Sequence, residues 1–483
     1  MIQILLSDFL RIYEVFIGAY AVSYVLFYMG LSILSFIAIK SYSNTKYNIK
    51  DDILIKSNHV VGVSIVAPAF NEGANIVFNV QSLLSLNYPK FEVVIINDGS
   101  TDNTLEQLID EFELVKVDFY YQEKIKTKPV KGHYRSTNPV YAKLLVVDKV
   151  NGKSKADASN AGINSAQYPL FLCTDVDCIL RKDTIVKLAK PFMESKTRVI
   201  ATGAAIRASN SCEVSDGFLD KIHYPKNWLA RFQELEYIRA FLLGRMAWSK
   251  INSLLLVSGG LGLFDKEIAI KAGGYWHRSM GEDMELITRM RKYMYEIKED
   301  FIIKYIPESL CFTEVPATIK VLVRQRARWG RGLIQTLTMH KDVFFNKKYG
   351  RTGFLIFPHF LLFEFLVPIL EAIGIVVLIL SFFFLDVDYN NLILISVFIY
   401  FFYLSVTLFS ILWDEILYNH YANVREVMIL ILMAFVEPFV YHPINIYATL
   451  KGYYLFALSK EQKWGDMQRQ GFVKVAKPKL TKV

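Results

Sequence analysis

The sequence predicts a Rossmann-like α/β domain with a mostly parallel sheet, joined to α-helical transmembrane segments. Three observations lead there. Uncharged apolar runs gather toward the two ends of the chain. Between them, short β-branched runs alternate with helix-like stretches. Two acidic clusters directly follow two of those β-branched runs.

The first apolar run, Val15 to Ile39, carries no charge. About 20 apolar residues suffice to span a bilayer as a helix. A signal-peptide core is shorter, so the run reads as a retained anchor. Lys40, Lys46, Lys50 and Lys56 follow it, and only Arg11 precedes it. Basic residues favour the cytoplasmic side, so the middle of the chain is expected there. Residues 1–57 are read as anchor and cytoplasmic linker.

The middle, 58–346, is mixed in polarity and reads as one domain. Val61 to Pro68 and Phe91 to Asn97 are β-branched runs, hence buried strands. Helices are expected over Asn71 to Leu86 and Asn103 to Phe112, and a third strand over Leu170 to Thr174. Such alternation implies a parallel sheet covered on both faces. Ligands in these folds bind beyond the carboxyl ends of the strands. Asp98 and the pair Asp175/Asp177 fall at such ends. Tyr120 to Tyr141 is basic and aperiodic, and is expected to be an exposed loop or insertion.

Membrane or interfacial helices are expected over 347–450. An interfacial helix is read near Leu355 to Glu364, then a span near Phe365 to Leu385. Asn391 to Trp413 is uncharged and reads as another span, with Asp386 to Asn390 as an outward loop. Val427 to Leu450 is apolar but holds Glu437-Pro438 and His442-Pro443. Proline removes a helix donor and clashes with the preceding turn. A carboxylate in hydrocarbon is costly. The segment is therefore read as broken and non-spanning, which keeps the basic tail, 451–483, cytoplasmic.

Composition agrees. Of 483 residues, 53% are hydrophobic and 21% charged, which excludes a disordered chain. The net charge of +9 is explained by basic membrane flanks near anionic lipid rather than by nucleic acid. Cys173, Cys178, Cys212 and Cys311 form no CxxC pair, which argues against a disulfide scaffold or zinc ribbon.

Several segments carry chemistry, each with a plainer alternative. Asp175-Val176-Asp177 can share a hard divalent cation bound to a diphosphate, or form a solvated turn. Asp98, in IINDGSTDNT, can accept hydrogen bonds from a base or ribose, or close an Asx-turn. GKSKADASNAG can bring Lys155 near phosphates, or be a capped surface helix. Gly281-Glu282-Asp283 opens an amphipathic helix. Its acids suit the helix dipole, and Asp283 can also serve as a general base. QRARW, from Gln325 to Trp329, offers arginine donors for phosphate and a flat ring for a sugar, or a basic interfacial helix.

VAPAFNE, INDGSTDNT, GKSKADASNAG, DVD, GGLGLF, GED and QRARW occur in that order. The series resembles that of the membrane family 2 glycosyltransferases, which include the cellulose, chitin, hyaluronan and poly-N-acetylglucosamine synthases. The resemblance covers roughly Val61 to Gly332 and the flanking helices. It implies a GT-A fold, a UDP-sugar donor and Mg²⁺ or Mn²⁺. By position, Pro68, Glu72, Asp98, Lys155 and Asp175 are implied to bind the nucleotide, and Asp175 and Asp177 the metal. Asp283 matches the catalytic base. Gly259, Gly260, Glu282, Gln325, Arg328 and Trp329 match residues implied to hold the acceptor or diphosphate. The implied protein is an integral enzyme of the inner or plasma membrane, in contact with lipids, with no nucleic-acid partner. It builds a β-linked polysaccharide or, alternatively, adds one sugar to a lipid. Export or accessory subunits are left open. A catalytically silent scaffold predicts a broken acidic motif, whereas Asp98, Asp175, Asp177 and Asp283 are all present.

Overall fold

The computed structural model describes residues 2–45, 54–56, 60–215, 218–384, 389–418, 423–458 and 473–474. The chain enters through a long apolar helix, α1 (Ile2–Thr45). The domain then begins with β1 (Val63–Ala69), α2 (Ile76–Leu84), β2 (Phe91–Asn97), α3 (Thr104–Glu111) and β3 (Leu114–Val117). Next come β4 (Val130–Ser136), β5 (Leu144–Lys149), α4 (Lys155–Ser165), β6 (Leu170–Thr174), β7 (Ile179–Leu180), α5 (Thr184–Glu194) and β8 (Arg198–Ala208). Two short strands follow, β9 (Glu213–Ser215) and β10 (Phe218–Lys221), which with Val473–Lys474 make a separate small sheet. After α6 (Trp228–Ile238) come β11 (Leu261–Asp265), α7 (Glu282–Glu296), β12 (Phe301–Thr313) and α8 (Ile319–Met339).

The main sheet has ten strands in the order β3-β4-β5-β2-β1-β6-β11-β8-β12-β7. Its centre, β5-β2-β1-β6, is parallel. These strands are buried apart from half-buried Pro68, as their largely apolar runs require. The sheet as a whole is mixed rather than mostly parallel. β11 runs antiparallel between β6 and β8, and β3-β4-β5 is an antiparallel edge. Strand order reverses beside β1. The chain moves outward through β2 and β5, then returns to place β6 on β1's other side. Ligand sites of open α/β sheets fall at such a reversal.

Part of the basic segment read as an exposed loop is strand β4. It pairs with both β3 and β5, and His133 is buried beneath it against Ser165. Backbone pairing to two neighbours gives a strand to a segment whose side chains show no clear period.

Among the described residues, four helices are long and apolar enough to cross a membrane: Val15–Asn44, Thr352–Val377, Ser396–Tyr418 and Val424–Ala457. The segment read as interfacial near Leu355 to Glu364 is not separate. Helical turns, some of them wide π turns, continue from Thr352 into α9 (Leu366–Phe384). After α10 (Tyr389–Tyr418), the segment read as broken is one helix, α11 (Val424–Ala457), with Pro438 and Pro443 inside it. Packing carries the helix past both prolines. The carboxylate that counted against it, Glu437, receives two hydrogen bonds of 2.7 Å from Arg239, which also reaches Thr407 in α10 at 3.1 Å. A paired, hydrogen-bonded carboxylate no longer faces hydrocarbon alone. Residues 386–388 of the outward loop and most of the basic tail lie outside the described residues, while Tyr389 and Asn390 begin α10.

Candidate active site

β6 delivers Thr174 to the end of the sheet, and Asp175 and Asp177 follow it. β11 runs back beside β6 with Leu261 opposite Thr174, so Gly259 and Gly260 meet the acidic pair side by side. Thr174 Oγ1 donates to Gly260 O at 2.9 Å. The ligand atoms of Asp175, Asp177 and Cys178 all lie within 4.8 Å of one another, and no other described acid, histidine or thiol group is as close. Two carboxylates and a thiol at that spacing fit a divalent cation. A side chain at Gly260 would approach Asp175 Oδ2 to 3.5 Å and Cys178 Sγ to 3.7 Å, so glycine keeps this corner open.

Lys155 is the first residue of α4, whose N-cap Ser154 accepts from Asp157 N at 3.2 Å. Its ammonium lies 2.5 Å from Asp175 Oδ1 and donates to Gly259 O at 2.7 Å. Burial opposes that charge, yet Asp175 beside it holds the ammonium well above the usual lysine range. On the other side of the glycine turn, Gly259 N donates to Asp283 Oδ2 at 3.1 Å. Asp283 Oδ1 accepts from Met284 N at 2.8 Å. One backbone turn thus links the expected metal ligands, the expected phosphate lysine and the expected base.

Glu282 adjoins this cluster at the start of α7. Burial pushes its carboxyl up from 4.5 to about 7, with Lys155 and Arg328 pulling down and Asp283 and Asp175 pushing up. Below about pH 4.5 the group is neutral whether the chain is folded or not. From there to about 7 the folded chain keeps a proton that the unfolded chain has lost, so stability falls as pH rises. Glu282→Gln is expected to flatten melting temperature against pH across that window.

The α7 start is braced from behind by α8. Met280 N donates to Gln335 Oε1 at 2.8 Å. Gly332 lies so close to Gly281 that an added Cβ would fall 2.6 Å from Gly281 N. Backbone cannot yield as a flexible side chain does, so Gly332→Ala must displace the turn carrying Glu282 and Asp283. The expected outcome is a stability loss of about 1–3 kcal/mol and a larger loss of turnover than of UDP binding, read by steady-state kinetics beside calorimetry.

Pro68 and Glu72 lie at the end of β1, and Asp98 follows β2, its N–H donating to Ala69 O at 3.0 Å. Asp98 is engaged from below. Lys149 Nζ, fully buried, donates to Asp98 Oδ1 and Asp157 Oδ2 at 2.6 Å each, and to Val150 O at 2.7 Å. Gly152 N also donates to Asp98 Oδ1, at 2.9 Å. Burial raises the Asp98 carboxyl, while Lys149 and Gly152 act the other way. This network joins the β2 end to α4, and so to Lys155.

Gln325, Arg328 and Trp329 sit on α8. Arg328 is close enough for its charge to act on Glu282. Gln325 Oε1 is buried with no hydrogen-bond partner. The Trp329 ring is 41% exposed.

Sequence reasoning missed Lys149, Asp157, Asn160 and Cys178. The signal for Lys149 was a lysine ending the strand LLVVDK, one residue past the apolar run LLVV. For Cys178 it was its place directly after the acidic pair. Asn160 clasps the backbone of Tyr275 with both ends of its amide, at 2.7 and 2.8 Å. That clasp steadies the loop leading to Glu282, and nothing local foretold it.

A model described as glycosyl transferase family 2 matches residues 64–216, and one described as glycosyl transferase family group 2 matches residues 219–417. The chain carries glycosyl transferase family 2 domains. The first match ends just after β9, so it holds Pro68, Glu72, Asp98, Lys155, Asp175 and Asp177. The second holds Gly259 through Trp329. A poly-beta-1,6-N-acetyl-D-glucosamine synthase of Staphylococcus epidermidis is 29% identical over 328 residues, 67% of this chain and 65% of that protein. The chain thus spans about two thirds of the length of that relative. The synthase of the same name from Staphylococcus aureus (strain COL) is 28% identical over 368 residues, 75% of this chain and 72% of that protein. Among solved structures, the mannosyltransferase PcManGT of Pyrobaculum calidifontis, in complex with GDP-Man and Mn²⁺, superposes with a TM-score of 0.45 at 16% identity. That superposition covers 89% of this chain and all of that one.

Proposed function

We propose that this family 2 chain is a membrane-embedded, inverting glycosyltransferase that extends a β-linked polysaccharide from a UDP-sugar. UDP-N-acetylglucosamine is the favoured donor, because the relatives are synthases of that polymer. The observation that carries the reading is the Gly259–Gly260 turn, bonded to Asp283 on one side and to Lys155, itself paired with Asp175, on the other. Asp283 takes the proton of the acceptor hydroxyl. That oxygen attacks the anomeric carbon, and the bond to UDP breaks with its electron pair leaving on the diphosphate. One displacement inverts the carbon, so an α-linked donor gives a β-linkage. Lys155 and Arg328 stand where the leaving charge appears, already oriented and so at little reorganisation cost. Asp175 and Asp177 would hold a divalent cation, Mg²⁺ or Mn²⁺, through carboxylate oxygens suited to such hard ions, and it supplies further charge neutralisation at the diphosphate.

The lysines after α1 support a cytoplasmic placement of the domain, under which the donor binds on the cytoplasmic side. Purified protein given UDP-N-acetylglucosamine, UDP-glucose and each metal in turn tests the reading by released UDP and product length. Long product from UDP-N-acetylglucosamine is expected, and chelation by EDTA should stop it. A product of one sugar on lipid would replace the polymer assignment. No UDP release from any donor would remove the enzyme.

A further inference from the structure

We propose that Arg326, a residue no sugar need touch, is a positioning residue for the acceptor, because it fixes the Trp329 ring as a platform. The inference rests on the glycosyltransferase reading above. Arg326 and Trp329 are three apart on α8, so they share a helix face. The Arg326 guanidinium carbon sits 4.0 Å from the centre of the Trp329 ring. Arg326 is 4% exposed, whereas Trp329 is 41% exposed. The ring is therefore backed by a buried cation while part of it stays open.

What holds the guanidinium comes from outside α8. Its Nη2 donates to Glu236 Oε2 in α6 at 2.7 Å and to the Tyr441 hydroxyl in α11 at 3.0 Å. The Tyr441 hydroxyl in turn donates to Glu236 Oε2 at 2.6 Å, closing a triangle. Nε and Nη1 are buried without a hydrogen-bond partner. A guanidinium wanted only to neutralise Glu236 would turn more of its donors toward carboxylate. This one leaves two donors unused and sits over an aromatic ring instead. Planar stacking of that kind is available to arginine and not to lysine.

Arg326→Lys separates the two roles, since it keeps the charge facing Glu236 and loses the stacking plane. The expected result is an unchanged KM for UDP-N-acetylglucosamine, a rise of roughly tenfold in KM for a short β-linked N-acetylglucosamine oligosaccharide, and shorter polymer. The tryptophan fluorescence change on adding that oligosaccharide should shrink in step. Tyr441→Phe, which leaves the arginine and removes one of its anchors, should shift the same readings by a smaller factor, and it stands as the test if Arg326→Lys does not fold. In a Trp329→Phe background, Arg326→Lys should add less than it does alone. Unchanged acceptor KM and polymer length in the folded variants overturn the inference, as does full additivity with Trp329→Phe. If the unaltered protein releases no UDP from any donor, it is the glycosyltransferase reading that falls.

Discussion

Asp283→Asn is expected to keep UDP binding and to lose transfer by a factor of about 10² to 10⁴, the usual worth of a positioned general base. The amide is nearly isosteric with the carboxylate and can still accept hydrogen bonds from Gly259 N and Met284 N through its oxygen. The glycine turn should therefore persist, and with it Lys155 and Asp175. What the amide cannot do is take up the acceptor proton. Titration calorimetry with UDP beside turnover separates the two effects. Near-normal turnover would remove the base assignment, and loss of UDP binding would show that the substitution disturbed the turn instead.

Lys149→Met is expected to be the most damaging change to stability in the nucleotide half of the domain. The lysine is fully buried and serves two buried carboxylates, Asp98 and Asp157. Removing one side of a buried ion pair strands the charge on the other, at about 3–5 kcal/mol. Methionine fills much of the space, so the loss should be electrostatic rather than a cavity effect. A fall in melting temperature, together with weaker donor binding, is the expected reading. An unchanged melting temperature would mean that water reaches Asp98 and Asp157 and stands in for the ammonium. Losses at Asp283 and Lys149 should combine additively, because the two sites share no partner.

Legibility in the sequence followed locality. β1, β2 and β6 were readable because strands buried on both faces need largely apolar runs, and VSIVAPA, FEVVIIN and LFLCT are such runs. The placing of Asp98 and Asp175 at strand ends followed directly. β11 was not readable as a strand, since GGLGLF is short and its partners β6 and β8 lie far away in sequence. Its antiparallel course brings Gly260 to Asp175 and Gly259 to Asp283, so the geometry that unites the site was the part least visible. Lys149 shows the same limit, because its partner Asp98 lies 51 residues earlier. Helix α11 failed the other way. Pro438, Pro443 and Glu437 are local signals of interruption, and they were overruled by packing and by Arg239, which is distant in sequence.

The seam between α8 and α11 bears on how this protein is handled. A Cβ at Gly452 would lie 2.3 Å from Ala327 O, and one at Gly330 would lie 3.2 Å from Thr449 O. The two backbones are in direct contact along this seam. Truncation before Val424 would bare the glycine face of α8 and leave Arg326 without Tyr441. A water-soluble catalytic fragment is therefore not to be had by trimming the hydrophobic C-terminal part, and crystallisation or screening campaigns need detergent or nanodiscs from the outset.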